Sequence, residues 1–264
     1  MSLTNAGSTA HYQVSFDPAL ADGAALAAAL LAGCEADVAL MASWFAPTNL
    51  EFNFPLPVQL LNGTSPGASW MDPSDIVLAF GTSPTISINP TSGGTGDLVR
   101  ASLAAEVVEM FMASERNGNW FGNTTIVTNA DEGSKGEGLS RFLAAQLIKQ
   151  NGLNPGPIIL AFLVTGIWLN SARADFIDNA PDDNQPDPTT GCTTCFLYYL
   201  HSELGYSINA IIAAGADTLA DVYKNLTGKS DGWTAFINLV NSAYPPTLPP
   251  GTAVFYPLAT DNIF

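Results

Sequence analysis

Basic residues are scarce in this chain. Only 8 of its 264 residues are lysine or arginine, against 24 aspartates and glutamates, which gives a formal net charge of −16. Because no lysine or arginine precedes Arg100, the first third of the chain has no cation that could neutralise a phosphate group. The composition therefore argues against nucleic acids as partners and against binding to an anionic membrane surface.

Cysteine and histidine are also rare, with three cysteines and two histidines in the chain. No second pair of Cys or His residues accompanies Cys192 and Cys195, which excludes a structural zinc site with four protein ligands. The two cysteines have the spacing of a redox motif, but no predicted strand precedes them. We expect two buried small side chains, with a redox pair as the alternative, and the sequence leaves open whether the two are bonded.

Long hydrophobic runs are missing as well. The longest uncharged apolar run covers residues 157–169, well short of the ~20 residues that a bilayer requires. We interpret this run and the alanine-rich residues 24–32 as buried helices, and we expect no membrane partner. The first residues do not show the pattern of a secretion signal peptide, in which a basic segment is followed by an apolar segment and by small residues. A secreted and a cytoplasmic location both remain open, as does the oligomeric state.

The hydrophobic pattern predicts a single α+β domain over residues 1–264. An α/β lobe with a short sheet is expected over residues 1–113, and a mainly helical lobe over residues 114–264. Alternation predicts strands at residues 12–16, 50–54, 58–61, 76–80 and 85–89, with a helix from Asp17 to Pro47 after the first of them. Helical periodicity predicts helices at residues 97–113, 139–148, 158–169, 195–204, 209–214, 218–226 and 233–243.

Two of the predicted helices carry acidic motifs. The first contains Ala105-Glu-Val-Val-Glu109, and the second opens with Glu137 in the stretch Glu-Gly-Leu-Ser-Arg-Phe-Leu. In this order the chain resembles zinc-dependent peptidases of the gluzincin type, in which a short sheet precedes a helix bearing His-Glu-x-x-His. A glutamate on a following helix supplies their third zinc ligand. The later helices are similar to those of the plant basic secretory proteins and their bacterial relatives.

The resemblance covers about residues 85–226 and implies a zincin-like fold with a degenerate motif. In such peptidases two histidines four residues apart share one helix face and bind the metal, while the glutamate between them acts as general base. The resemblance gives the general-base position to Glu106 and the third-ligand position to Glu137. Ala105 and Glu109 stand where the histidines would be. Another departure is the separation of Glu109 from Glu137 by 27 residues, which is longer than in the most familiar members.

The remaining carboxylates leave several possibilities open. Glu106, Glu109 and Glu137 would repel one another if they met without a cation, so they would hold a metal, take up protons or point elsewhere and bind nothing. An all-oxygen set suits Ca²⁺, Mg²⁺ or Mn²⁺ better than zinc. His201, on a later predicted helix, is a candidate to reach the cleft and assist catalysis, or it is a structural histidine.

Three functions follow from these residues. The first is a pseudoenzyme: a peptidase-like protein without zinc hydrolysis that acts as a binding or structural protein, with a protein or peptide as partner. The second is a metal-dependent hydrolase in which Glu106 is the base, Glu109 and Glu137 hold the cation and His201 assists. The third is an unrelated α+β interaction module. The loss of both motif histidines favours the first.

Two further features of the sequence concern loops. Acidic residues are concentrated between Asp175 and Asp187, where a solvated loop is expected and a structural Ca²⁺ loop is the alternative. The dipeptide Asn62-Gly63 predicts a tight turn after a strand, and it also lies in an Asn-x-Thr glycosylation motif. Two more such motifs start at Asn123 and Asn225.

Overall fold

The structure is a computed structural model, and it describes residues 2–64, 67–70, 83–90, 94–115, 119–121, 133–154, 164–178 and 187–244. These residues form an α+β fold. The strands are β1 (Thr4–Ser8), β2 (Tyr12–Phe16), β3 (Leu56–Leu60), β4 (Gly67–Ser69) and β5 (Ile86–Asn89). The helices are α1 (Gly23–Phe45), α2 (Gly96–Ser114), α3 (Gly133–Asn151), α4 (Thr165–Leu169), α5 (Asp187–Tyr198), α6 (Ile208–Ala213), α7 (Leu219–Thr227) and α8 (Gly232–Ala243), and a π-helical turn (Tyr199–Glu203) extends α5.

The chain divides into two compact units. The first comprises Met1–Glu115, Ile126–Ala130 and Leu143–Gly156, and the second comprises Arg116–Thr125, Asp131–Phe142 and Pro157–Phe264. Helix α3 contributes its first half to the second unit and its second half to the first.

The sheet of the first unit is mixed, with the strand order β1-β2-β3-β5-β4. Strands β2, β3 and β5 are parallel, and the edge strands β1 and β4 run antiparallel to their neighbours. Alternate side chains of the central strands are fully buried, which is the period expected of a sheet with one covered face. Helices α1 and α2 pack together, with α1 also against β1 and β2 and α2 also against β4 and β5.

Helix α1 is long and apolar enough to cross a membrane by length and composition alone. A helix packed in a protein core passes the same test, and nearly half of the relevant segment is buried within the unit. Its residues Leu30 and Cys34 are completely buried, and the rings of Phe45 and Phe111 stack with centroids 5.0 Å apart.

The prediction that α1 begins at Asp17 was wrong, because Asp17 lies in the turn between β2 and α1. Its carboxylate accepts a hydrogen bond from the backbone N–H of Ala19, and its own N–H donates to the carbonyl of Leu60. Such a local side-chain bond stabilises a turn in competition with a helix. The helix therefore starts only at Gly23.

The predicted strand at residues 50–54 is not formed. The backbone N–H of Glu51 donates to the hydroxyl of Ser114 on α2 rather than to a neighbouring strand. The ring of Phe52 is buried against Trp70, with centroids 5.5 Å apart. The alternating pattern of residues 50–54 thus reflects one buried aromatic side chain, Phe52, between more exposed neighbours. The predicted strand at residues 76–80 lies outside the described residues.

The second unit is built around α5, whose residues from Thr189 to Tyr198 are all buried. This helix begins eight residues earlier than predicted, at Asp187-Pro188, an acidic residue and a proline that are both favoured in a first helical turn. Gly191 allows a close approach of α4, because a Cβ atom there would lie 2.5 Å from the carbonyl oxygen of Val164.

Candidate functional site

Helix α2 carries the two acidic residues of the stretch Ala105-Glu-Val-Val-Glu109. The hydroxyl of Thr95 caps the helix by accepting a hydrogen bond from the N–H of Leu98. Asp97, where the predicted helix begins, accepts a hydrogen bond from the N–H of Asn154. From Leu103 to Ser114 every residue of α2 is buried. The helix therefore presents Glu106 and Glu109 to the protein interior.

Glu106 and Glu109 are 7 % and 6 % exposed, respectively. Because they are three residues apart, they lie on neighbouring positions of one helix face. Ala105, one residue before Glu106, is also buried. A methyl group offers no lone pair to a metal, so this turn of α2 provides carboxylate oxygens but no nitrogen ligand.

The carboxylate of Glu109 is bound by a tryptophan. The indole Nε1–H of Trp70 donates to Oε2 of Glu109 at 3.1 Å, and both side chains are buried. Trp70 directly follows β4, the edge strand that packs on α2, and its ring is supported edge-to-face by Phe52. Glu109 thus takes part in a buried hydrogen bond between the residue that follows β4 and helix α2.

Glu137 lies in α3, in the part of that helix that belongs to the second unit. Its Oε1 accepts hydrogen bonds from Nε of Arg141 at 2.7 Å and from Nη2 at 2.5 Å. The two residues are one helical turn apart, so the pair forms within α3 itself. The guanidinium already supplies a positive charge to this carboxylate.

His201 lies in the π-helical turn that extends α5. Its Nδ1 is 2.8 Å from the carbonyl oxygen of Tyr206, and its ring meets the edge of Phe142 at 5.8 Å between centroids. Gly205, with φ at +75°, allows the chain to turn back between these two residues. If Nδ1 donates to the carbonyl, Nε2 is the nitrogen with a free lone pair.

The structure describes no metal-binding cluster. Among the residues it describes, no three His, Cys, Asp or Glu side chains are grouped in a way that could hold an ion. A cation bound by Glu106, Glu109 and Glu137 therefore stays a prediction. The acidic stretch 175–187 is described only at its ends, where the carboxylate of Asp175 accepts hydrogen bonds from the N–H groups of Ile177 and Asp178.

The three cysteines are free and buried. Burial raises the pKa of the Cys192 and Cys195 thiols well above the ordinary value. Since the thiolate is the nucleophile and the redox-active form, these two cysteines have the properties of buried apolar side chains rather than of a reactive pair.

Sequence reasoning missed two titratable groups with shifted pKa values. Burial raises the pKa of Glu115, at the end of α2, to about 7. Burial lowers the pKa of Lys135 to about 8, although the charge of Asp217 acts in the opposite direction. The Lys135 ammonium donates to the carbonyls of Ala216 and Asp217 and lies over the ring of Trp120. The sequence gives no local signal for either burial.

Comparisons with known proteins give no match. The chain matches no protein-family model, no curated protein and no solved structure.

Proposed function

We propose that this chain is a peptidase-like scaffold that has lost zinc hydrolysis and acts as a binding or structural protein. The observation that carries the proposal is the hydrogen bond from Trp70 to Glu109. Through this bond Glu109, which stands where the resemblance places the second motif histidine, contacts the residue that follows β4. A cation at Glu109 would have to share this carboxylate with a buried indole donor.

Four further observations support the same proposal. The side chain of Ala105 has no atom that could bind a metal, and Glu137 is neutralised by Arg141 on its own helix. The second candidate catalytic residue, His201, has one ring nitrogen engaged by a backbone carbonyl. The packing of α2 against β4 and β5 agrees with the sheet-and-helix arrangement that the peptidase resemblance requires, which an unrelated interaction module would not need.

The first test is the metal content of protein purified without chelators, followed by treatment with EDTA and return of Zn²⁺, Ca²⁺, Mg²⁺ or Mn²⁺. We expect well under one equivalent of every cation and no cleavage of an unfolded protein such as casein. One tightly bound equivalent that disappears in Glu109→Gln would contradict the proposal. Glu115→Gln is the matched control, because it removes another carboxylate of the same region.

A second experiment tests the peptidase-like arrangement separately. The double variant Ala105→His, Glu109→His restores the spacing of a zinc motif around Glu106. If the scaffold is zincin-like, the folded variant should bind zinc, and adding Glu137→Gln should weaken the binding because it removes the expected third ligand. A folded double variant that binds no zinc would reject the peptidase-like part of the proposal and leave only the binding or structural role.

The burial of two carboxylates on adjacent positions of α2 favours one alternative, a hydrolase that uses a hard cation. In that case Glu106 is the general base, and Glu106→Gln should abolish hydrolysis while circular dichroism and melting stay unchanged. Activity that persists in this variant would reject the alternative.

A further inference from the structure

The turn after β3 contains Asn62-Gly63-Thr64, and all three residues are exposed. The side-chain amide of Asn62 makes one long hydrogen bond, at 3.4 Å, to the carbonyl of Ala19. Gly63 lies close to the side chain of Asn89, which a side chain at residue 63 would displace, because a Cβ atom there would lie 2.6 Å from Oδ1 of Asn89. The fold thus places an exposed, weakly held asparagine directly before a glycine.

We propose that Asn62 is a site of spontaneous covalent modification, in which its amide is converted to a carboxylate. The backbone nitrogen of Gly63 attacks Cγ of Asn62, the new C–N bond closes a five-membered succinimide, and the side-chain nitrogen leaves as ammonia. Water then opens the ring at one of its two carbonyls, giving aspartate or isoaspartate. Nothing is oxidised or reduced, and the sum is amide plus water to carboxylic acid plus ammonia. Glycine favours the attack because it carries no side chain to block the approach.

A second Asn-Gly pair of the chain provides an internal comparison. Asn151 ends helix α3, and its amide donates at 2.7 Å to the buried carboxylate of Asp37. The N–H of Gly152 is bonded to the carbonyl of Lys149. Attack of the Gly152 nitrogen on Asn151 must break both contacts. The hydrogen bond to the charged carboxylate of Asp37 alone should slow the reaction by about 10–100-fold. The third pair, residues 117–118, lies outside the described residues.

The modification has a structural consequence at the same turn. A carboxylate at residue 62 cannot donate to the carbonyl of Ala19, because both groups are hydrogen-bond acceptors. Isoaspartate also lengthens the backbone by one carbon atom beside Gly63, where Asn89 leaves no space for a Cβ atom. We expect the modified turn to separate from Ala19, which lies four residues before the start of α1.

The test is peptide mapping by mass spectrometry after incubation of the native chain at mildly alkaline pH. The peptide with Asn62 should gain the mass of the amide-to-acid exchange at least about tenfold faster than the peptide with Asn151. In the denatured chain the two should react at similar rates, since each asparagine precedes a glycine. Asn62→Gln should remove the fast mass change and leave the slow one.

Two results would overturn the proposal. One is an Asn62 peptide that stays unmodified in the native chain while the denatured chain reacts. The other is a native ratio of the two rates equal to the denatured ratio, because then the fold would play no part. Neither result bears on whether the chain binds metal or hydrolyses peptides.

Discussion

Removal of the Arg100 side chain should be among the most destabilising single changes in the first unit. Its guanidinium holds Asp37 with two hydrogen bonds, from Nε at 2.8 Å and from Nη2 at 2.7 Å. Asp37 is only 3 % exposed, and among the described residues its one other partner is the amide of Asn151. The pair joins helices α1 and α2, and the amide joins α3 to them.

The size of the effect follows from the burial of the carboxylate. Arg100→Ala leaves Asp37 buried with a neutral partner only, and breaking a buried ion pair in this way costs about 3–5 kcal/mol. Gly33→Ala should act through the same group, because its Cβ atom would lie 2.3 Å from the guanidinium carbon of Arg100. The guanidinium would have to shift but could keep part of its contact with Asp37, so we expect a smaller loss than for Arg100→Ala.

The assay is urea unfolding followed by circular dichroism, with the slope of the transition compared between variants. Glu35→Gln is the control: it weakens the pair of His11 and Glu35, whose side chains are 36 % and 39 % exposed. Such exposed pairs contribute less than about 1 kcal/mol. A loss below about 1 kcal/mol for Arg100→Ala, equal to that of the control, would refute the reasoning.

Three further predictions follow from buried groups. Because the Glu115 pKa is raised to about 7, its contribution to stability is greatest below the unfolded value of 4.5 and is lost as pH rises towards 7. Over this range the free energy of unfolding of the wild type should decline by about 1–2 kcal/mol, a value reduced for solvent screening, and Glu115→Gln should remove the decline. Parallel pH profiles of the two proteins would contradict this. Because the Lys135 pKa is lowered to about 8, wild-type stability should rise between pH 8 and 10.5, and Lys135→Met should lack that rise in unfolding measurements made across this range. Gly191→Ala should cost about 1–3 kcal/mol because its Cβ atom meets a backbone oxygen at 2.5 Å, whereas Gly67→Ala, with nothing within 4 Å, should melt like the wild type.

Elements with a strong hydrophobic period could be predicted from the sequence. The strand at residues 12–16 and the helix predicted at 97–113 are found in the structure, the helix one residue longer at each end. Strand β1 was missed because Thr-Asn-Ala-Gly-Ser has no apolar alternation. It forms because β2 offers a free edge to pair with, a tertiary effect that intrinsic propensity does not contain.

The candidate site was predictable only within single helices. The three-residue spacing of Glu106 and Glu109 predicts a shared helix face, and both side chains are buried. Trp70 as the partner of Glu109 was not predictable, because 39 positions separate them and no periodicity relates them. The bond between Glu137 and Arg141 is a local i to i+4 contact that the sequence contains but that a search for metal ligands overlooks.

The contacts of the basic side chains have a consequence for the ionic atmosphere of the molecule. Arg100 is bound to Asp37, Arg141 to Glu137, and Arg173 to the carbonyl of Leu169 and the amide oxygen of Asn241. Lys135 is directed at backbone carbonyls. Half of the cations in a chain of charge −16 are thus committed to internal contacts. The outer surface is close to that of a polyanion, so mobile counterions rather than its own lysines and arginines compensate most of its charge.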